Sequence, residues 1–175
     1  MLDRIAHRGP DGRGDAREGD ASHGHVRLAM FDPTTASAQP FRPERGGVLS
    51  FNGEIWNFLE VRKSLECLGR RFRTRGDTEV LGEAISEWGI DGALPRLEVM
   101  FAFAWSRGGE HVLARDRFGK VPIYAVRRGE GFEWASERKA WADLRAAGQA
   151  VQVPPGSVLD LRTGRIRAWY GLPAK

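Results

Sequence analysis

Cysteine is nearly absent from this sequence, which contains only Cys67. A single cysteine excludes a disulfide within the chain and suits a reducing compartment, so we expect a cytoplasmic protein. No apolar run approaches the roughly 20 residues that a membrane-spanning helix needs, and no apolar secretory core follows Met1. We therefore expect neither a membrane protein nor a secreted one.

Long blocks of basic residues are missing as well. The 27 Lys and Arg residues are interspersed with 23 Asp and Glu residues, although the formal net charge is +4. Proteins that bind nucleic acid usually gather their basic residues on one face or in one segment. This distribution therefore argues against nucleic acid as a partner.

The residues that are present support one domain over residues 1–175, because 41% of them are hydrophobic and 10% aromatic. Apolar runs predict strands, and apolar residues at helical spacing predict helices. The expected strands cover residues 26–31, 48–51, 70–74, 100–105, 111–114, 123–126 and 132–135, with a strand pair over 156–167. The expected helices cover residues 55–68, 77–88 and 137–147. Residues 7–25 are expected to be loop, and short strands within that loop stay open as an alternative. This order favours an α+β domain over alternating βαβ units.

Seven short motifs follow one another along the chain. They are His-Arg-Gly-Pro-Asp-Gly at 7–12, Arg-Leu-Ala-Met-Phe-Asp at 27–32, Asn-Gly-Glu at 52–54, Gly-Asp-Thr-Glu-Val at 76–80, Met-Phe-Ala-Phe-Ala at 100–104, Ala-Arg-Asp-Arg-Phe-Gly at 114–119 and Ala-Ser-Glu-Arg-Lys-Ala at 135–140. In this order they resemble the class II glutamine amidotransferase domain of the asparagine synthetase family. The resemblance implies an N-terminal-nucleophile fold, a four-layer αββα sandwich of two antiparallel sheets, here without its first strand and helix.

The resemblance also implies a reaction and a partner. In that family an N-terminal cysteine attacks the side-chain amide of glutamine, and its own α-amine, titrating at about 7.7–8.0, acts as the base. The ammonia released reaches a synthetase domain or subunit that forms an amide, as in asparagine biosynthesis. ATP and Mg²⁺ belong to that synthetase, so we expect no cofactor in this chain.

Five residues match the glutamine site of the family. The side-chain amide of Asn52 and the backbone N–H of Gly53 match the oxyanion hole. Arg27 matches the clamp of the substrate α-carboxylate, Asp77 the acceptor of its α-ammonium group, and Glu54 a second contact in the pocket. Simpler alternatives stay open: a turn at Asn52–Gly53, an exposed strand-end arginine, a helix cap at Asp77 and an exposed acid at a helix start.

Other polar residues are expected to have structural roles. The residues expected to hold loops or strand ends together are His7, Arg8, Asp11 and an ion pair of Arg115 with Asp116. His23 and His25 flank Gly24, but the further ligands that a metal ion needs are not found. No metal site is therefore expected.

The N-terminal cysteine of the family has no counterpart in this sequence. Met1 lies only a few residues before the 7–12 motif, and residues 1–5 look like the end of the missing helix. Cys67, expected within the first long helix, should be a buried, inert thiol. A Ser-Gly-Gly-x-Asp-Ser loop for ATP is not found either, so the chain as given is expected to be inactive.

Three accounts stay open. In the first, the start is mis-assigned or the chain is a fragment of a working glutaminase. In the second, the chain is a degenerate, non-catalytic glutamine-binding or scaffolding module for a separate ATP-dependent amide synthetase. In the third, it is an unrelated basic interaction module. A missing opening strand would leave unpaired backbone groups on its neighbours. We therefore expect marginal stability, or a partner strand from another subunit in a homo-oligomer.

Overall fold

The structure is a computed structural model that describes residues 1–29 and 34–171. The strands are β1 (Gly12–Glu18), β2 (Ala21–Arg27), β3 (Val48–Ile55), β4 (Val99–Arg107), β5 (Glu110–Arg115), β6 (Tyr124–Arg128), β7 (Gly131–Ala135), β8 (Val151–Gln152), β9 (Ser157–Asp160) and β10 (Ile166–Ala168). The helices are α1 (Phe58–Cys67), α2 (Asp77–Ala93) and α3 (Leu144–Gln149). Short 3-10 helices cover Leu2–Arg8, Thr35–Ser37, Leu94–Arg96 and Arg138–Ala140.

The strands form two main antiparallel sheets and a separate hairpin. The larger sheet has the order β10-β9-β5-β4-β3, and the smaller sheet has the order β7-β6-β8. Within residues 1–29 and 34–171, β1 pairs with β2 and with no other strand. One apolar core lies between the larger sheet and helices α1 and α2. A second core joins the two sheets, and a third lies between the smaller sheet and the flanking helical segments. These layers confirm the predicted α+β, αββα sandwich.

Strand β4 shows how one sequence serves two cores. The predicted strand over 100–105 is confirmed, and side chains on a strand point alternately to its two faces. Phe101, Phe103 and Trp105 belong to the core with the helices, whereas Ala102 and Ala104 belong to the core between the sheets. The large side chains therefore fill the helical side, and the small ones leave room between the sheets.

The two later hairpins and the pair over 156–167 are confirmed, but several other predicted elements are not. Residues 7–25 contain most of the β1–β2 hairpin, whereas the strand predicted over 26–31 ends at Arg27, and residues 30–33 lie outside the described part. The helix predicted over 137–147 is instead a 3-10 turn at Arg138–Ala140 followed by α3. The helix end predicted at Gly89 is confirmed, because the non-helical φ and ψ of Gly89, 69° and 174°, separate residues 77–88 from a further short helical segment that ends at Ala93.

The strand predicted over 70–74 is wrong, because buried acids of α2 hold that segment as a loop. Glu79 accepts hydrogen bonds from the backbone N–H groups of Arg73 and Thr74, at 3.0 and 2.7 Å, and from the Thr74 hydroxyl. Glu83 pairs with buried Arg70. Alternating residue types suggested a strand here, but these charge-assisted bonds take the backbone groups that strand pairing would need.

Helix α1 also differs from its prediction. It begins at Phe58 rather than at 55, since β3 extends to Ile55. Its buried residues are Val61 and Leu65, four residues apart, while Leu59 and Leu68 are exposed. Cys67 is exposed as well, so the prediction of a buried thiol is wrong. Two positions after Leu65, Cys67 points away from the face that packs.

Among the described residues, no helix combines the length and apolar character needed to cross a membrane.

Candidate active site

A cavity of about 1250 Å³ is lined by residues of both main sheets and of the β1–β2 hairpin. The structure brings all five predicted site residues to this one cavity: Arg27, Asn52, Gly53, Glu54 and Asp77. They come from three separate elements, β2, β3 and the start of α2. Residues as far apart in sequence as Arg27 and Asp77 therefore meet in a single concave site, the usual setting for small-molecule binding.

Asn52 and Gly53 lie within β3, so the turn predicted for this dipeptide is wrong. Strand β3 pairs with β4 without interruption from Val48–Ser106 to Ile55–Val99. Asn52 shares one strand face with Ser50 and Glu54, because side chains alternate. Opposite Asn52 on β4 is Ala102, whose small side chain leaves space for the amide in the cavity.

The pairing of β3 with β4 directs the Gly53 N–H away from β4. Phe101, which faces Gly53, has its own polar groups turned toward the other neighbour: its carbonyl accepts from Asp116 N–H at 2.9 Å, and its N–H donates to Asp116 Oδ2 at 3.2 Å. In an antiparallel pair, such a residue and its partner exchange no hydrogen bonds. The Gly53 N–H therefore points to the open edge of β3.

The other outward N–H groups on that edge are already paired. Leu49 N–H donates to the Phe41 carbonyl at 2.9 Å, Phe51 N–H to Gln39 Oε1 at 2.7 Å, and Ile55 N–H to Asp77 Oδ2 at 3.1 Å. Within the described ranges, no acceptor is present for the Gly53 N–H. A missing neighbouring strand was expected to leave a row of unpaired N–H groups. On β3, the Gly53 N–H at the cavity is the one that has no acceptor among the described residues.

Only glycine fits at position 53. Its φ of +151° is a conformation that residues with side chains rarely adopt. A Cβ atom there would lie 2.1 Å from the Met100 carbonyl oxygen and 2.7 Å from Phe101 Cα. Because both are backbone atoms of β4, no side-chain rearrangement can make room.

Asp77 connects strand β3 to helix α2. It is the first residue of α2, and Gly76 occupies the N-cap position, so Asp77 is not the predicted cap. Burial raises the pKa of the Asp77 carboxyl and the nearby Glu54 charge adds to this, while backbone N–H bonds from Ile55, Asp77 and Thr78 oppose it. A buried acid beside a half-buried one favours a cationic ligand group.

Arg27 ends strand β2 and reaches the cavity from the hairpin. Its Nη1 donates to the Thr34 carbonyl at 3.0 Å, and its half-buried side chain lines the cavity. His25, two residues earlier on the same strand face, also lines it. Burial, aided by the Arg27 charge, lowers the pKa of His25 to about 4, so this imidazole is neutral near pH 7. Arg27 therefore carries the positive charge of this strand face.

The cavity residues that were not predicted for the site include His25, Gln39 and Ser50. The histidine was weighed only as a metal ligand, yet its two-residue spacing from Arg27 placed both on one strand face. Ser50 could have been found from its two-residue spacing to Asn52. No local pattern pointed to Gln39, whose side chain matters because it occupies the Phe51 N–H.

The first motif is held to later ones by polar contacts. Asp11 Oδ2 accepts from the Ala29 N–H at 2.9 Å. Glu137 accepts from Arg8 at 2.8 Å and contacts His7 at 3.3 Å. The hydrogen bond from Arg8 lowers the pKa of Glu137 to about 2. These contacts fit the predicted structural roles.

Arg115 and Asp116 bind backbone rather than each other. Arg115 donates to the carbonyls of Val121, Val153 and Gly119. Asp116 accepts from the backbone N–H groups of Phe101, Phe118, Lys120 and Val121. The predicted ion pair is therefore wrong, although both residues are structural, since residues at a strand end must satisfy the backbone groups of the loop that follows.

Three or more His, Cys, Asp or Glu side chains placed to hold a metal ion are not found among residues 1–29 and 34–171.

Two antiparallel sheets between helical layers, with a cavity at the edge of β3, define the N-terminal-nucleophile type of amidotransferase fold. The chain resembles the glutamine phosphoribosylpyrophosphate (PRPP) amidotransferase from B. subtilis complexed with ADP and GMP. That match has a TM-score of 0.79 and 26% identity, and covers 97% of this chain and 45% of the other. An allosteric regulatory enzyme of purine biosynthesis matches at a TM-score of 0.70 and 27% identity, over 84% of this chain and 34% of the other.

The chain belongs to the glutamine amidotransferase domain family, whose model matches residues 1–157. It is 34% identical to asparagine synthetase [glutamine-hydrolyzing] 2 of Oryza sativa subsp. japonica over 173 residues, which are 97% of this chain and 28% of the rice protein. The asparagine synthetase [glutamine-hydrolyzing] of Sandersonia aurantiaca is also 34% identical, over 97% of this chain and 32% of that protein. The chain thus spans about a third or less of these relatives and is homologous to their glutaminase part.

Proposed function

We propose that the cavity binds glutamine and that residues 1–175 form the glutaminase part of an asparagine synthetase-like amidotransferase. The observation that carries the proposal is the Gly53 N–H, which has no acceptor in the part of the chain that the structure describes and lies at a cavity that Arg27, Asn52 and Asp77 also line. A free backbone donor beside an amide side chain supplies two donors for an oxyanion. The opposite charges of Arg27 and Asp77 suit the α-carboxylate and the α-ammonium group of an amino acid.

The charges at the cavity match those of a free α-amino acid. The Arg27 guanidinium offers parallel donors to the substrate α-carboxylate. Asp77 and Glu54 offer carboxylate oxygens to the α-ammonium group. A bound cation would also favour the ionised form of Asp77, whose pKa burial raises. This pairing supports an amino acid as the ligand.

Asn52 and Gly53 would act in the chemical step. When the side-chain amide of glutamine is attacked, its oxygen becomes negatively charged, and donors placed in advance stabilise it. Removing one such donor typically costs about 2.7–4 kcal/mol in the transition state. Cys67 lies on the exposed side of α1 and does not line the cavity. The proposal therefore leaves nucleophilic attack to a group other than Cys67.

The partner in this proposal is a synthetase domain or subunit that consumes the ammonia. ATP and Mg²⁺ would bind that synthetase, and residues 1–175 would need no cofactor of their own. The position of Cys67 also favours a second candidate, a glutamine-binding or scaffolding module without hydrolysis. The coding DNA upstream separates the two: an in-frame Met-Cys-Gly run supports the glutaminase, and a stop codon close to Met1 supports the module.

Isothermal titration of the chain with L-glutamine tests the binding site that both candidates share. We expect saturable binding that Arg27→Ala abolishes, because the α-carboxylate loses its counter-charge. Asn52→Ala should change the affinity only a few-fold, since oxyanion donors act mainly on the transition state. Arg162→Ala is the charge-matched control, because Arg162 lines the same cavity.

Two results would contradict the proposal. A flat titration of the unmodified chain removes glutamine as the ligand, and equal losses in Arg27→Ala and Arg162→Ala reduce binding to general charge attraction. An ammonia-release assay on the same protein should stay at background. Steady release of ammonia would show that a residue of this chain serves as the nucleophile.

A further inference from the structure

The β1–β2 hairpin carries Arg27 but belongs to neither main sheet. Among the described residues, its two strands pair with each other, over Gly12–Arg27 to Glu18–Ala21, and with no strand of either main sheet. Arg27 lies at the end of β2, where the hairpin meets the cavity. The position of its guanidinium therefore depends on whatever holds the hairpin against the larger sheet.

Two histidines connect the hairpin to the larger sheet: His111 of β5 contacts the exposed Asp20 of the hairpin turn at 2.9 Å, and the imidazole of His23, in the middle of β2, makes the buried connection. His23 is 3% exposed, and its Nε2 lies 2.7 Å from Ser106 Oγ on β4 while its Nδ1 lies 3.3 Å from Ser50 Oγ on β3. Its ring also meets Trp134 of β7 edge to face, at 5.6 Å between centroids. A single side chain thus joins the hairpin to both main sheets.

Strand geometry links the buried anchor, which is His23 with its hydrogen bonds to Ser50 and Ser106, to the candidate site. His23 and Arg27 lie on the same face of β2, four residues and about 13 Å apart, because strand side chains alternate at about 3.3 Å per residue. On β3, Ser50 is two residues from Asn52 and shares its face. The anchor thus connects the strand that carries the arginine to the strand that carries the oxyanion donors.

The protonation state of His23 suits two hydroxyl partners. Burial, and after it the nearby His111 of β5 and Arg42, lower the pKa of His23 to about 4. A neutral imidazole has one donor and one acceptor nitrogen, and a serine hydroxyl can take either role. Near pH 7 both hydrogen bonds can therefore form without a buried charge.

We infer that His23 is a positioning residue for glutamine binding: its hydrogen bonds to Ser106 and Ser50 fix the β1–β2 hairpin on the larger sheet and so hold Arg27 at the cavity. This inference rests on the proposed function. His23 acts through Arg27 and needs no contact with the ligand.

The test removes one hydrogen bond at a time from the full chain. Ser106→Ala is the main variant, because it keeps the imidazole and is less disruptive than a change of His23. We expect it to weaken L-glutamine binding roughly tenfold, the size of one buried hydrogen bond. Ser50→Ala should weaken binding less, since its contact is longer. His23→Gln, which keeps a donor and an acceptor, should recover affinity relative to His23→Leu.

Two further readouts separate positioning from general stability. Starting from Arg27→Lys, Ser106→Ala should have a smaller effect than in the unmodified chain, because both changes act on one clamp. Hydrogen exchange of the Asp11 amide, which donates to the Arg27 carbonyl at 3.0 Å, should speed up in Ser106→Ala. Ser157→Ala on β9 is the matched control, and neither readout should change.

Unchanged affinity in Ser106→Ala, or effects that simply add to those of Arg27→Lys, would overturn the inference. If the unmodified chain binds no glutamine, the proposed function fails. Hydrogen exchange of the Asp11 amide then still tests whether His23 holds the hairpin on the larger sheet. Faster exchange of the Asp11 amide in Ser106→Ala but not in Ser157→Ala then supports the anchor. Equal exchange in both refutes it.

Discussion

The two faces of strand β3 differ in burial and in the polarity of their residues. One face places Leu49, Phe51 and Ile55 in the core with helices α1 and α2, where each is at most 3% exposed. The other face places Ser50, Asn52 and Glu54 at the cavity, opposite Ala104, Ala102 and Met100 of β4. A strand that alternates in this way can devote one face to stability and the other to binding.

Charged groups follow the same division. On the helical side, Glu79 and Glu83 are buried with their hydrogen-bond partners and hold the 70–76 loop. On the cavity side, Asp77 and Glu54 are acids in a space large enough for a ligand, and the Gly53 N–H has no acceptor among the described residues. The two glutamates of the helical side therefore have structural partners, whereas the Gly53 N–H on the cavity side has no acceptor among the described residues.

The largest expected effect is on the packed face. Phe103→Ala removes a fully buried ring from the helical core, and we expect the free energy of unfolding to fall by about 3–5 kcal/mol. Met100→Ala, on the half-buried cavity face of the same strand, should have less than half that effect. Urea unfolding of both variants measures the contrast, and equal losses would contradict the division between the two faces.

The next effect concerns pH and the cavity side. The pKa of His23 is lowered from 6.5 to about 4, so the unfolded chain takes up this proton at a higher pH than the folded one. Stability should be complete above about pH 6.5, fall as the pH drops toward 4, and level off below. His23 alone accounts for up to about 3 kcal/mol, and His25 acts in the same window.

Urea unfolding between pH 7 and 4 checks this dependence. In His23→Leu the slope of stability against pH should fall to about half, because His25 remains. Glu137, whose pKa is lowered from 4.5 to about 2, contributes mainly below about pH 4.5 and does so equally in both proteins, so the difference between the two slopes isolates His23. A slope that does not change in the variant would show that His23 is not buried in its neutral form.

A smaller effect is expected at the acid that holds the 70–76 loop. Glu79→Gln keeps the size of the side chain but loses its charge, which weakens the bonds from the backbone of Arg73 and Thr74. Hydrogen bonds to charged groups contribute about 1.5–3 kcal/mol, so we expect a loss in that range. Thermal unfolding measures it, with exposed Glu66→Gln as the control.

The buried strands and the later hairpins were predictable because continuous apolar runs and glycine turns give local signals. The run over 100–105 and the hairpin around residues 128–131 are of this kind. The residues at the cavity were found from the order of motifs, since no periodicity brings Arg27, Asn52 and Asp77 together. Their roles in binding stay predictions.

The errors share a cause, which is that tertiary contacts decided between local alternatives. Asn52–Gly53 has the composition of a turn, yet pairing with β4 keeps it extended, and only the close approach of Met100 shows why glycine is needed. The 70–74 segment alternates like a strand, but Glu79 lies five residues or more away and takes its N–H groups. Neither contact can be recognised from a short stretch of sequence.

The smallest expected effect is at Cys67, on the exposed end of helix α1. Cys67→Ser should change the free energy of unfolding by no more than about 0.5 kcal/mol, because exposed positions away from caps and charge networks tolerate substitution. The folded protein should also react with a thiol reagent such as DTNB as fast as the urea-unfolded chain does. Slow labelling, or a loss of unfolding free energy above about 1 kcal/mol, would mean that α1 is rotated and that Val61 and Leu65 do not form its packed face. The apolar face of β3 would then not pack against α1 as described.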